Sequence, residues 1–232
     1  MHHAERAIIL AAGMGERMRP VTEQTPKPLV PVRGRRMIDT IITALRENGI
    51  TEIYVVVGYR REQFAALPKQ YPGLTLIENP DYAEANNISS LYYASAYLEN
   101  TIILDGDQII RNPEILRPEF DRSCYCCYWT EKETSEWLLT LENDVVIACS
   151  RTGGRRGWEL HSVSFWSEED GARLRKHLKQ EYESGNREIY WDDVALTCYP
   201  GEYQLGVRPM NDGSLVEIDS YEELCALDPS YQ

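Results

Sequence analysis

The sequence predicts an α/β protein: a doubly wound, largely parallel sheet joined to a smaller antiparallel region. Three observations carry this. Short apolar runs alternate with helical repeats as far as residue 107, joined by short connections. From residue 124 the pattern changes to one strand after another. The first apolar run, "AIILAA", opens into a loop of small and then basic residues, as a strand-to-helix crossover does in such sheets.

In chain order, residues 7–12 make the first strand. Residues 37–47 place Met37, Ile38, Ile41, Ile42 and Leu45 on one helical face, and Gly49 ends that helix. "EIYVVVGY" (52–59) is a buried strand, "REQFAAL" a short helix, and "LTLIEN" a further strand. A helix over 88–98 follows, with Asn87 at its N-cap, and then the strand "TIILDGD" (101–107). In the second half, "CYCCYWT" and "WLLTLENDVVIACS" are antiparallel strands, the latter turning at Asn143-Asp144. "HSVSFWS" precedes a helix opening at Ser167 with Asp170 in capping-box position. Its basic residues Arg173, Arg175, Lys176 and Lys179 cover a solvated face. "SLVEIDSYEELCAL" closes the chain as a strand and a helix capped by Ser220 and Glu223. No repeat or linker interrupts it, so 1–232 reads as one domain. About 1–110 forms its first half and about 111–232 its second.

Composition narrows the function. A net charge of −13 argues against nucleic acid as the main partner, because phosphate backbones are held by basic surface. Arg17, Arg19 and Lys27 then form a local positive spot suited to a small anion. No apolar run approaches the roughly 20 residues of a membrane span. The start "MHHAERAIIL" lacks a signal-peptide pattern, so a cytoplasmic protein is expected. The six cysteines match no zinc framework and read as small strand hydrophobes.

The loop "LAAGMGERMRP" admits three phosphate-binding readings. A P-loop needs Gly-Lys-Ser/Thr, which is absent. A dinucleotide loop needs a third glycine where Met18 stands, and an acidic residue closing the second strand. The third pattern is present: Leu10, Ala11, Ala12, Gly13, Gly15 and Arg17, with Lys27 downstream in "TPKPL". The small residues let a nucleoside triphosphate lie on bare backbone, while Arg17 and Lys27 supply cations for its phosphates. Two carboxylate pairs stand at predicted strand ends, Asp105 with Asp107 and Glu217 with Asp219. Solvated strand ends carry such residues too; a divalent metal neutralising a transferred phosphate needs them.

The loop resembles that of the nucleotidyltransferases that activate sugar phosphates. The resemblance implies a Rossmann-like mixed sheet of the GT-A kind, an NTP substrate, Mg2+ and pyrophosphate as leaving group. It also implies that Asp107 and Asp219 hold the metal, with Arg17 and Lys27 completing the catalytic set. "NNISSLYYA", "SEWLL", "SVSFW", "EIYWDD" and "VEIDS" are together similar to bacterial CTP:phosphocholine cytidylyltransferases along the whole chain. In that family aromatic rings and carboxylates surround the choline head, which by motif falls on Trp137, Tyr190, Asp192 and Glu217. Asn87 and Ser90 are the candidates for the cytidine site.

The chemistry of these residue types agrees. A quaternary ammonium has no hydrogen to donate and is held by aromatic faces and diffuse negative charge. Trp137, Tyr190 and Trp191 are equally suited to be core or rim aromatics. The primary amine of 2-aminoethylphosphonate, the alternative acceptor, wants carboxylate hydrogen bonds instead. A sugar-1-phosphate acceptor with UTP or dTTP, and a silent nucleotide-binding subunit, are further alternatives. An ionised phosphate nucleophile needs no general base, and His2, His3, His161 and His177 are assigned to no site. Monomer and homodimer both remain open.

Overall fold

A computed structural model describes Met1–Gln232. Strands β1 (Arg6–Ala11), β2 (Glu52–Val57), β3 (Leu74–Glu78) and β4 (Thr101–Asp105) form its parallel part, in the order β4-β1-β2-β3. After β4 the chain runs through the short β5 (Gln108–Ile110), then β6 (Cys124–Thr130), β7 (Leu138–Glu142), β8 (Val145–Ser150) and β9 (Gly157–Trp166). The ten-residue β9 joins the two halves. Its C-terminal end pairs antiparallel with β4, its N-terminal end with β7, and its other edge with β6. Strand β10 (Gly206–Pro209) lies parallel to β6, and β11 (Leu215–Glu217) pairs with β5, aligning Glu217 with Gln108.

Period two along β1 explains the double winding. Ala7, Ile9 and Ala11 join the core on one face, with helix α1 (Met37–Glu47) supplying Ile38, Ile41, Ile42 and Leu45. Ile8 and Leu10 join the core on the opposite face. There they meet Ile88 and Leu91 of α2 (Ile88–Tyr93) and Leu174 and Leu178 of α3 (Glu168–Glu183). Each such fully buried Leu or Ile contributes about 1.5–3 kcal/mol relative to exposure. Trp191 also belongs to this core, at 0% exposure, which removes it from the candidate cage aromatics.

Most expected elements appear with ends shifted by one or two residues, and three differences are instructive. The expected helix over 88–98 stops at Tyr93 and tightens into a 3-10 turn at Ser95–Tyr97. Leu91, Ala94 and Leu98 still reach the core, so the burial pattern tolerates either geometry. Asn87 stands at the N-cap position but makes no capping bond; its side chain is engaged elsewhere. The Ser167 hydroxyl accepts from the Asp170 N–H, while the Asp170 carboxylate turns to Ser123 and Arg173 instead of completing the box. The turn at Asn143-Asp144 forms as expected, both residues having positive φ (49° and 62°). Ser220 and Glu223 close a full capping box on α5 (Tyr221–Leu227), α4 being the short helix Trp191–Asp193. No helix is long and apolar enough to cross a membrane. All six cysteines are free, and burial pushes the Cys124 thiol up to about 11.

Candidate active site

A cleft of about 350 Å³ opens at the carboxyl ends of β1 and β4, where parallel sheets present their ligand crevices. Leu10, Ala11, Gly13, Gly15, Arg17 and Lys27 line it together with Trp137, Tyr190 and Asp192, and Glu217 stands with the carboxylates that Lys27 contacts. Asp105, Asp107 and Asp219 lie in the same cleft, as do Asn87 and Ser90. Ala12 is the one expected site residue off its wall, and it is buried.

The glycine loop is anchored from inside. Met18 is fully buried, so the position a dinucleotide loop gives to glycine is here a core residue. Gly15 has φ +63°, and a Cβ there would stand 3.0 Å from Thr22 Cγ2 and 3.1 Å from Lys27 Cβ. That conformation favours glycine and brings the loop onto the Lys27 stem. The Thr22 hydroxyl donates to the Gly15 carbonyl at 2.8 Å, closing the turn.

The carboxylates come together although β5 and β11 are remote in sequence. Antiparallel pairing brings Glu217 beside Gln108, and the Ile218 N–H donates to the Asp107 carbonyl. Carboxylate oxygens of Asp107, Glu217 and Asp219 then lie within 4.8 Å of one another. Lys27 Nζ sits 2.6 Å from Asp107 Oδ2 and 3.0 Å from Asp219 Oδ1, and Arg17 Nη2 is 2.9 Å from Asp219 Oδ1. Burial alone would lower the Lys27 ammonium, but Asp107 and Asp219 outweigh it and hold it above its ordinary value. Asp107 Oδ1 is buried with no hydrogen-bond partner. An all-oxygen set with an orphaned carboxylate oxygen fits a hard divalent cation. Burial, with Asp107 and Glu217 alongside, holds Asp105 well above the usual carboxylate range.

The Trp137 and Tyr190 rings meet edge to face, 5.6 Å between centroids. A residue the sequence did not single out covers them: the Arg151 guanidinium lies 5.0 Å from the Trp137 centroid and 6.0 Å from that of Tyr190. Its Nε is 3.3 Å from Asp193 Oδ1. The aromatic pair thus already carries a cation from its own chain. Glu136, next to Trp137, also lines the cleft, and burial with Asp219 nearby raises its carboxyl.

His161, assigned to no site from the sequence, does not line the cleft but neighbours Glu217, which does. It lies on β9 between two carboxylates, Nε2 3.5 Å from Glu159 Oε1 and Nδ1 3.9 Å from Glu217 Oε2. The Tyr128 hydroxyl donates to Glu159 Oε1 at 2.5 Å. Burial raises the Glu217 carboxyl, with His161 pulling the other way. Glu159 and His161 stand two apart on β9, while the pairing of β6 with β9 brings Tyr128 to Glu159 and the pairing of β11 with β5 presents Glu217.

Asp192 Oδ1 is buried and unpartnered, and burial pushes this carboxyl up to about 7. A carboxyl raised on folding binds its proton better folded than unfolded. Stability therefore falls as pH climbs from about 4 to about 7, and is flat above. Asp192→Asn removes that loss. At pH 8 the variant is expected to melt roughly 10 °C above the parent, with the gap closing at pH 4. Equal melting temperatures at both values would contradict a buried, destabilised carboxylate. The same variant is expected to weaken binding of any cationic ligand in this part of the cleft.

Comparison with known proteins places this geometry in a family. Residues 7–190 match the MobA-like NTP transferase domain. The chain is 40% identical over 228 residues to the 2-aminoethylphosphonate cytidylyltransferase of Lancefieldella rimae, covering 97% of this chain and 92% of that protein. It is 35% identical over 219 residues to the choline-phosphate cytidylyltransferase of Streptococcus pneumoniae, covering 94% of each. The solved structure of CTP:phosphocholine cytidylyltransferase from Streptococcus pneumoniae superposes with a TM-score of 0.90 at 34% identity, covering 98% of this chain and 99% of that one. With a nucleotidyltransferase sheet, a matching glycine loop and this extent of identity, the chain belongs to the MobA-like NTP transferase family.

Proposed function

We propose that the protein transfers CMP from CTP to phosphocholine, releasing pyrophosphate and forming CDP-choline. The observation that carries this is one cleft that holds two chemically different sets of residues: a glycine loop with Arg17 and Lys27, and an aromatic pair with Asp192. The identity to two cytidylyltransferases supports CTP as donor. The chain works as one domain in this reading, supported by β9 pairing with strands of both halves.

An acceptor phosphate oxygen attacks the α-phosphorus of CTP in line, forming one P–O bond as the bond to the pyrophosphate oxygen breaks. The acceptor is ionised near neutral pH, so no residue needs to remove a proton. Gly13 and Gly15 offer backbone to the triphosphate, and Arg17 and Lys27 neutralise it. Asp107 and Asp219 would hold Mg2+, with Glu217 in reach, and the metal would supply charge neutralisation at the reacting phosphates. Trp137, Tyr190 and Asp192 orient the cationic head, so catalysis comes from positioning and electrostatics.

A second acceptor, 2-aminoethylphosphonate, is favoured by one feature: the buried Asp192 Oδ1 lacks a partner. A primary ammonium donates to it and a quaternary one does not. Base selection tests the donor side. Pyrophosphate release with phosphocholine or 2-aminoethylphosphonate is expected to favour CTP over UTP by at least about tenfold, with the cytidylyl product identified by mass. A preference for UTP or dTTP would overturn the cytidylyl reading.

A further inference from the structure

The pair Asn86-Asn87 precedes α2 on the cleft wall, and its hydrogen bonds run to residues 187–191. The Asn86 N–H donates to the Arg187 carbonyl at 2.8 Å and its Nδ2 to the Glu188 carbonyl at 3.1 Å. Asn87 Oδ1 accepts the Trp191 N–H at 2.9 Å. That N–H lies at the start of α4 and has no helical partner of its own. The bond fixes the backbone between Tyr190 and Asp192, the two residues of this segment that line the cleft. From the opposite side Asp193 Oδ2 accepts the Tyr190 N–H at 3.0 Å. Residues 184–190, which lead into this turn, have no helix or strand to hold them.

The engaged oxygen also limits what Asn87 can do for the base. Cytosine differs from uracil at two edge positions, an amine donor in place of a carbonyl and an acceptor N3 in place of an N–H. With its Oδ1 taken by the Trp191 N–H, Asn87 is not free to accept from the amine.

We propose that Asn87 is a positioning residue for the acceptor-binding part of the cleft, holding the Tyr190–Asp192 turn through the Trp191 N–H. The inference rests on the acceptor reading above, and wild-type turnover with the two amine acceptors is measured first. A wild type active with neither would overturn that reading and this inference with it. With activity established, Asn87→Ala is expected to raise the acceptor KM about tenfold, the scale of one lost hydrogen bond. The CTP KM is expected to stay within about threefold. Asn87→Asp keeps an oxygen facing the Trp191 N–H and is expected to return the acceptor KM to within about threefold of wild type. It also keeps the test decisive should the alanine variant not fold. An acceptor KM unchanged in Asn87→Ala, or an aspartate variant as impaired for acceptor as the alanine one, would overturn the inference.

Discussion

Asp107→Asn is expected to cut turnover roughly a thousandfold or more while leaving the fold intact. Asp107 is where the lysine from the nucleotide loop, the trio of carboxylates and the orphaned Oδ1 coincide. The amide keeps the size of the side chain but loses the charge that a divalent cation requires. Folding is expected to survive because Lys27 retains Asp219 at 3.0 Å, so no buried ammonium is left unpaired. Activity near that of the parent, measured with saturating CTP and metal, would remove Asp107 from the metal site.

Lys27→Met is expected to have the second-largest effect, and in two opposite directions. Turnover with CTP falls by roughly a hundredfold or more, because the triphosphate loses its most enclosed cation. Divalent binding to the free protein strengthens by about tenfold or more, since Lys27 is the ammonium that holds Asp107 and Asp219. Methionine preserves the buried stem against Gly15 while removing that competitor. Titration of the free protein with Mn2+ reads the second effect without turnover. Unchanged or weaker Mn2+ binding would mean that Lys27 and the cation do not share these carboxylates.

How much of this was legible in the sequence follows from how each part is built. Helix α1 was readable to both ends because five apolar residues at helical spacing lead into Gly49, which has φ +81°. The glycine loop was readable because its parts lie within one short stretch, and each residue type has a distinct reason to meet phosphate. The two carboxylate pairs, Asp105 with Asp107 and Glu217 with Asp219, were readable at the ends of apolar strands, and only the family resemblance singled out Asp107 and Asp219.

What was not legible depends on pairing between remote strands. Strand β9 starts at Gly157, four residues before the expected "HSVSFWS", and that extension brings Glu159 into line with Tyr128. His161 looked unattached because its neighbours come from three separate strands. Arg151 reaches the aromatic pair only because β7 and β8 fold back at Asn143-Asp144. Asn87 carried a local reading, the helix N-cap, that a bond across 104 residues displaced. Buried hydrogen-bond donors take the best available acceptor, and sequence spacing does not reveal which one that is.

The central claim is that a nucleotide and a cationic acceptor meet in this one cleft. The most direct measurement is pyrophosphate release from CTP with phosphocholine, 2-aminoethylphosphonate and glucose-1-phosphate offered separately. At least one amine is expected to be turned over with a kcat/KM about a hundredfold or more above that of the sugar phosphate, since Asp192, Glu217 and the aromatic pair suit a cation and a sugar has none. Release with glucose-1-phosphate alone would contradict the account.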